Sequence, residues 1–83
     1  MKLNDFHYMT SDLKAEAVWV HGTFLAIRSE EDYYVALYHM GSFFVEVWYS
    51  PQADKITYTI GFRSAVHLEP YLQMIDISEL ETA

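Results

Sequence analysis

His39 and Glu46 are the two residues whose types and spacing could together move a proton. Both fall in a strand-rich part of the sequence, on the same side of adjacent strands and diagonal to each other, at roughly 7–8 Å between backbones. An imidazole and a carboxylate at that separation could act as a general acid and base or form an ion pair. Alternatively, Glu46 is solvated and its charge discourages non-specific stacking of sheets. No nucleophile or charge-stabilising group accompanies the pair, so we do not predict an enzyme.

The other residues with reactive or ligating side chains form no motif. The four histidines (His7, His21, His39 and His67) lack the H-x-x-x-H and H-E-x-x-H spacings of metal sites, and the chain has no cysteine. The glycines are isolated from one another, so no phosphate-binding loop is present. We therefore predict neither a metal nor a cofactor.

Composition and charge restrict the class of partner. Twelve Asp and Glu against five Lys and Arg give a formal charge of −7, and the basic residues are scattered, which disfavours nucleic acid and anionic membranes. The acidity suits solubility or a basic protein partner. No apolar run reaches the roughly 18–20 residues of a membrane-spanning helix. Residues 1–5 lack the apolar core of a signal peptide. We expect a cytoplasmic protein.

The elements that must position these residues are those of one α+β domain over residues 1–83. The sequence predicts helices within 3–21, strands at about 23–28, 33–40, 43–50 and 56–63, and a short helix at about 69–76. Thr10, Ser11 and Asp12 are candidate caps of the second helix. Pro70 fits the first position of the last helix. Short loops favour a sequential four-stranded antiparallel meander, with the helices packed on one face.

The three loops between strands set the predicted register. A Gly41-Ser42 turn pairs Tyr38 with Val45, the loop at 29–32 pairs Ile27 with Tyr34, and the loop at 51–54 pairs Tyr49 with Ile56. All three hairpins agree on one apolar face, which we expect the helices to cover. That face would carry Thr23, Leu25, Ile27, Tyr34, Ala36, Tyr38, Met40, Phe43, Val45, Val47, Tyr49, Ile56, Tyr58, Ile60 and Phe62.

The opposite face, called here the second face, is too apolar for a sheet surface left in water. Its candidate interaction residues are Phe24, Val35, Leu37, His39, Phe44, Glu46 and Trp48. In one interpretation, the helices or the sheet twist hide these side chains. In the other, they form an interaction site, as a homodimer interface or as the docking surface for a protein partner that could be basic.

A small-molecule binder is the alternative function. Tyr33, Trp48, Phe24 and Arg28 could form an aromatic platform for a sugar or another planar ligand.

Three stretches carry a resemblance to other proteins: residues 21–26, residues 38–49, and the segment from Phe62-Arg63-Ser64 to Leu68-Glu69-Pro70-Tyr71-Leu72. Together they span most of the chain and resemble short uncharacterised bacterial proteins. The resemblance implies a stand-alone bacterial protein. It implies no activity and assigns no site residues.

Overall fold

The computed structural model describes residues 1–72 and shows an α+β fold built on one antiparallel sheet. Two helices come first, α1 (Leu3–His7) and α2 (Ser11–His21). Four strands follow: β1 (Thr23–Glu30), β2 (Tyr33–His39), β3 (Phe44–Ser50) and β4 (Lys55–Phe62). A 3-10 helix (Ala65–Tyr71) ends the described chain. The strands pair in sequential order, which confirms the predicted fold class. No helix within these residues has the length and apolarity needed to cross a membrane.

α2 begins where its cap was predicted but turns a different side to the sheet. The Thr10 hydroxyl accepts a hydrogen bond from the Leu13 N–H at 3.3 Å. The spacing of Leu13, Ala17 and Val20 predicts that these three residues share the buried side of the helix. Of the three only Ala17 is buried, together with Val18, and Leu13 and Val20 are exposed. The helix is therefore rotated from the predicted orientation, because its position is set by contact with the sheet rather than by the spacing of its apolar residues.

Gly22 follows the last turn of α2, a position at which the sequence predicts a residue with left-handed backbone. The structure shows a different reason for glycine at this position. Its φ of −81° and ψ of 146° are extended values that any residue adopts. A Cβ built on Gly22 would lie 2.5 Å from the Val18 carbonyl oxygen and 3.3 Å from the Met40 Sδ. Close approach of the chain to the helix end therefore requires glycine here.

The central hairpin, β2 with β3, has the predicted register. Tyr38 pairs with Val45 and Tyr34 with Tyr49. Gly41 takes a φ of +95° in the turn, a conformation that favours glycine.

The β1–β2 hairpin is tighter than predicted. β1 continues to Glu30, so the turn contains two residues, and Ile27 pairs with Ala36 instead of Tyr34. This shift of two residues leaves Ile27 on the predicted face. A β-bulge at Leu25 then moves Phe24 opposite Tyr38, onto the face that carries the helices. The predicted position of Phe24 on the second face is therefore wrong.

A second β-bulge, at Thr57, reverses most of β4. Ile56 pairs with Tyr49 as predicted, but Tyr58 pairs with Trp48. Tyr58, Ile60 and Phe62 consequently lie on the second face and not on the predicted core face. Gly61 takes the helix-bearing side, where a Cβ would come within 2.7 Å of the Leu3 Cδ1.

Two apolar clusters lie on opposite faces of the sheet. On the helix-bearing face the buried residues are Phe6, Ala17, Val18, Met40, Phe43 and Val45. On the second face they are Ala26, Leu37, Phe62, Leu68 and Tyr71. The C-terminal 3-10 helix thus covers the second face, and the expectation that all helices pack on one face is wrong.

The 3-10 helix starts before the predicted helix. The Ser64 hydroxyl accepts a hydrogen bond from the Val66 N–H at 3.3 Å, and Pro70 lies near the helix end. Hydrogen bonds from His67 N to Ser64 O and from Leu72 N to Glu69 O do not require the N–H that Pro70 lacks. Residues 73–76 of the predicted helix lie outside the described residues.

We expect Gly22→Ala to lower the free energy of unfolding by about 1–3 kcal/mol, because the new methyl group meets a backbone oxygen that cannot move independently. Gly61→Ala is the comparison variant, since its methyl group meets side-chain atoms, the Leu3 Cδ1 at 2.7 Å and the Phe6 ring at 3.1 Å, rather than backbone. Urea denaturation measures both variants. A Gly22→Ala cost no larger than the Gly61→Ala cost would contradict this account.

Candidate functional site

The chain itself covers most of the predicted interaction face. Val35 and Leu37 are fully buried, and Leu37 packs with Leu68 and Tyr71 of the 3-10 helix. Phe44, His39 and Trp48 are half-buried, and Phe24 lies on the opposite face. These residues therefore do not form one open surface. At the centre of the second face, the first of the two interpretations is right: a helix of the chain covers the apolar side chains.

Glu46 is buried at the centre of the second face with two partners that the sequence did not suggest. It is 9% exposed. Its Oε2 accepts a hydrogen bond from the Tyr71 hydroxyl at 2.6 Å and an ion-paired one from the Arg28 Nη2 at 3.2 Å. The His39 ring instead packs on Phe44, with the ring centroids 5.1 Å apart. Both predicted states of Glu46, solvated or paired with His39, are therefore wrong.

Arg28 joins this carboxylate to the aromatic residues around it. Its guanidinium lies 5.5 Å from the Trp48 ring centroid and 5.2 Å from that of Tyr71, within cation–π range. It also pairs with the Glu30 carboxylate. Arg28, Glu46 and Tyr71 thus connect β1, β3 and the 3-10 helix, and we call these three residues the Glu46 cluster.

The predicted aromatic platform forms only in part. Tyr33 packs edge-on against Trp48, with the ring centroids 5.5 Å apart, and Arg28 lies against Trp48. Phe24 is on the other side of the sheet. The Arg28 guanidinium, predicted to be part of the platform, thus lies against the indole of Trp48.

The chemistry available to the Glu46 cluster is limited by its own contacts. The Glu46 carboxylate is held by a cation and a hydroxyl, so it is poorly placed to accept a proton from a substrate. Within residues 1–72, Arg28 Nε and Trp48 Nε1 are buried donors without a hydrogen-bond partner. Across the same residues, no three His, Asp or Glu side chains converge on a position for a metal ion. The geometry is that of an anchor for the 3-10 helix.

A group of exposed apolar residues lies on the other, helix-bearing face, whereas the exposed apolar residues of the second-face strands are Tyr58 and Ile60 of the edge strand β4. We call the group on the helix-bearing face the open half-face and define it by the exposed residues Trp19, Phe24, Ile27, Tyr34 and Ile56. Trp19 is 88% exposed and Phe24 is 54% exposed. A cleft of about 360 Å³ separates α2 from the strands here and is lined by Trp19, Phe24, Tyr38, Val47 and Ile56, with Ala15, Val18 and Gly22 of the helix side.

The open half-face exists because the helices cover only part of their face of the sheet. α1 and α2 bury Phe43 and Val45 near the β2–β3 turn. Toward the opposite end of the sheet, Ile27 and Tyr34 remain exposed. The bulge at Leu25 adds Phe24 to this surface. Sequence reasoning missed the site, although one indication was present: Trp19 lies outside the predicted buried side of α2.

Carboxylates surround the open half-face, and we call Asp12, Glu31, Asp32 and Asp54 its acidic rim. Asp12 lines a cavity with Ile56, and Glu31 and Asp32 line another with Tyr34. The Asp54 carboxylate accepts a hydrogen bond from Tyr49, which raises the pKa of that tyrosine. No Lys or Arg of the described chain lines these two cavities or the cleft beside Trp19.

No family model, curated protein or solved structure matches the chain. The geometry of the Glu46 cluster and of the open half-face therefore carries the functional conclusions below.

We expect Tyr71→Phe to lower the free energy of unfolding by about 1.5–3 kcal/mol, because the buried Glu46 carboxylate loses a hydrogen-bond donor. Tyr8→Phe is the matched control, since Tyr8 is 91% exposed and loses only contact with water. Chemical denaturation at neutral pH measures both variants. A Tyr71→Phe effect below about 0.5 kcal/mol would show that the hydroxyl does not anchor the 3-10 helix.

Stability at alkaline pH should also depend on Tyr71. Burial, and then the hydrogen bond to Glu46, raise the pKa of Tyr71 well above its ordinary value. A raised folded-state pKa gives stability that is complete below the unfolded-state pKa, near 10, and lost as the pH rises toward the folded-state value. Unfolding measured from pH 8 upward should show a steeper loss in the wild type than in Tyr71→Phe above about pH 10. Parallel curves would contradict this expectation.

Proposed function

We propose that the protein is a non-enzymatic interaction module that binds another protein chain through the open half-face. The class of function is the one expected from the sequence, a protein-interaction module. We now place the docking surface on the helix-bearing face instead of the second face. The observation that carries the proposal is the exposure, on one face of the sheet, of Trp19, Phe24, Ile27, Tyr34 and Ile56. Contiguous apolar patches on the order of a few hundred Å² mark interaction sites on soluble proteins.

The contrast between the two faces supports this choice. Both carry large apolar side chains, but the second face buries Val35 and Leu37 at its centre, with Leu37 packed under the 3-10 helix. On the helix-bearing face, Trp19 and Phe24 contact a cleft that remains open to solvent. Tyr58 and Ile60 on the edge strand of the second face are also exposed, but association at the open half-face would remove the most exposed aromatic side chain of the sheet and α2, that of Trp19, from water.

The residue types at the open half-face suit an interface. Trp and Tyr are enriched among residues that dominate binding energy, and here they surround a cleft that could accept a partner side chain. At about 25 cal/mol per Å², a few hundred Å² of apolar contact would contribute several kcal/mol. Lost translational and rotational freedom offsets part of that contribution, so we expect a reversible complex.

A non-enzymatic role is supported by the state of Glu46. Among the described residues, Glu46 is the charged residue that is buried. Its Oε2 already accepts hydrogen bonds from Arg28 and Tyr71. These contacts join β1, β3 and the 3-10 helix, so they are typical of a carboxylate that stabilises the fold.

The test replaces Trp19 with a photo-crosslinking amino acid in the full chain, expressed in cells of its source organism. We expect a covalent adduct with a protein, because the Trp19 side chain projects from α2 beside the cleft. The same replacement at Tyr8 is the matched control, since Tyr8 is equally exposed and lies outside the open half-face. Gel electrophoresis and mass spectrometry measure the adducts.

The adduct mass identifies the type of partner. A mass twice that of the chain would show self-association, and any other protein mass would show a different partner. No protein adduct at Trp19 beyond the amount formed at Tyr8 would contradict the proposal. That result would favour the small-molecule alternative, for which the cleft of about 360 Å³ has a suitable size.

A further inference from the structure

The open half-face has room for one more helix beside α2. α2 runs between the two outer strands: its first turn lies beside Ile56 and Thr59 of β4, and its last turn leads into β1. α1 packs on the side of α2 that is nearer the β2–β3 turn. On the other side of α2, residues 1–72 leave Ile27 and Tyr34 exposed. A helix packed there at the usual distance of about 8–10 Å from α2 would cover them.

The charges around this position select its occupant. The floor consists of apolar and aromatic side chains, including Phe24, Ile27 and Ile56. The acidic rim adds a carboxylate in the first turn of α2 and others at both strand turns of that end of the sheet. By register, the neighbouring Lys55 belongs to the second face, opposite Ser50. A partner therefore meets an apolar floor with negative charges at its margins.

We propose that the open half-face binds an amphipathic helix of another protein, with apolar residues facing the sheet and Lys or Arg residues along its edges. This inference rests on the proposed function and specifies its partner. The mode is that of a helix laid into an apolar groove, with its anchors on one side. The basic edges would approach the acidic rim and raise the rate of association.

A second copy of this chain fits the position less well. A symmetric dimer through this face would place two acidic rims against each other, because both copies use the same surface. α2, the longest helix of the described part, carries Asp12 and Glu16 on its exposed side. Like charges at the margin oppose association.

The experiment titrates the labelled full chain with a designed peptide and follows its nuclear magnetic resonance spectrum. The peptide has about 14 residues, or about 21 Å of helix, with leucines at helical spacing and lysines elsewhere. We expect saturable shifts of the Trp19 indole N–H and of the Phe24, Ile27 and Tyr34 amides, with the Tyr8 amide unchanged. Raising the salt concentration should weaken binding, because part of the attraction is between exposed charges.

Two peptide controls separate the apolar and electrostatic contributions. Replacing the leucines by serine keeps the charge and should abolish the shifts. Replacing the lysines by glutamate keeps the apolar side and should weaken binding at least about tenfold, or about 1.4 kcal/mol. Equal binding of the serine peptide would show non-specific attraction to an acidic protein, and equal binding of the glutamate peptide would show no selection for basic helices. Either result overturns the inference.

Protein variants locate the site. Trp19→Ala should weaken binding about tenfold or more, with Tyr8→Ala as the matched control. Asp32→Asn combined with Asp54→Asn should weaken it about fivefold, whereas Glu69→Gln on the 3-10 helix should have no effect. Thermal melting checks that each variant is folded. Binding that is insensitive to Trp19→Ala overturns the inference.

The outcomes also separate this inference from the proposed function. If Trp19 crosslinks to a protein but the leucine–lysine peptide does not bind, the surface is an interaction site for a different partner and the inference fails alone. If sedimentation shows a dimer that protects Trp19 from solvent, a second copy occupies the position and the inference again fails alone. If neither adduct nor peptide binding occurs at Trp19, both fail.

Discussion

The buried carboxylate of Glu46 is the constraint on which the second face of the sheet depends. An ion in that position costs several kcal/mol unless charged and hydrogen-bonding partners replace the water it has lost. Arg28 comes from the edge strand β1 and Tyr71 from the 3-10 helix, so two distant segments must reach the same oxygen. The polar contact therefore fixes where the C-terminal segment lies. The surrounding Leu37, Phe62 and Leu68 supply most of the apolar burial that stabilises it there.

Covering the second face explains why the interaction surface is found on the other one. A small sheet with two apolar faces needs a layer on each side, and residues 1–72 supply two N-terminal helices for one face and one 3-10 helix for the other. The 3-10 helix covers the apolar centre of its face. α1 and α2 leave half of theirs open, because both pack toward the β2–β3 turn, around Phe43. The open half-face follows from this uneven distribution of helices.

The two β-bulges decide which side chains reach each face. The bulge at Leu25 brings Phe24 to the helix-bearing face, where its ring packs edge-on against Tyr38 with the centroids 5.7 Å apart. The bulge at Thr57 sends Phe62 to the second face, where its ring stacks on Phe44 at 5.7 Å. Each bulge thus joins two aromatic residues that a regular ladder would have placed on opposite sides.

The sequence by itself determined the α+β class, the sequential strand order, the segment of residues 10–12 in which α2 is capped and the register of the central hairpin. These are local properties, because alternation, turn residues and capping hydroxyls act over a few neighbouring positions. Only the tertiary structure decided the rotation of α2, the bulges at Leu25 and Thr57, the face covered by the 3-10 helix and the partners of Glu46. Those features minimise exposed apolar area and unpaired buried charge over the whole molecule, so residues as distant as Arg28 and Tyr71 must be considered together.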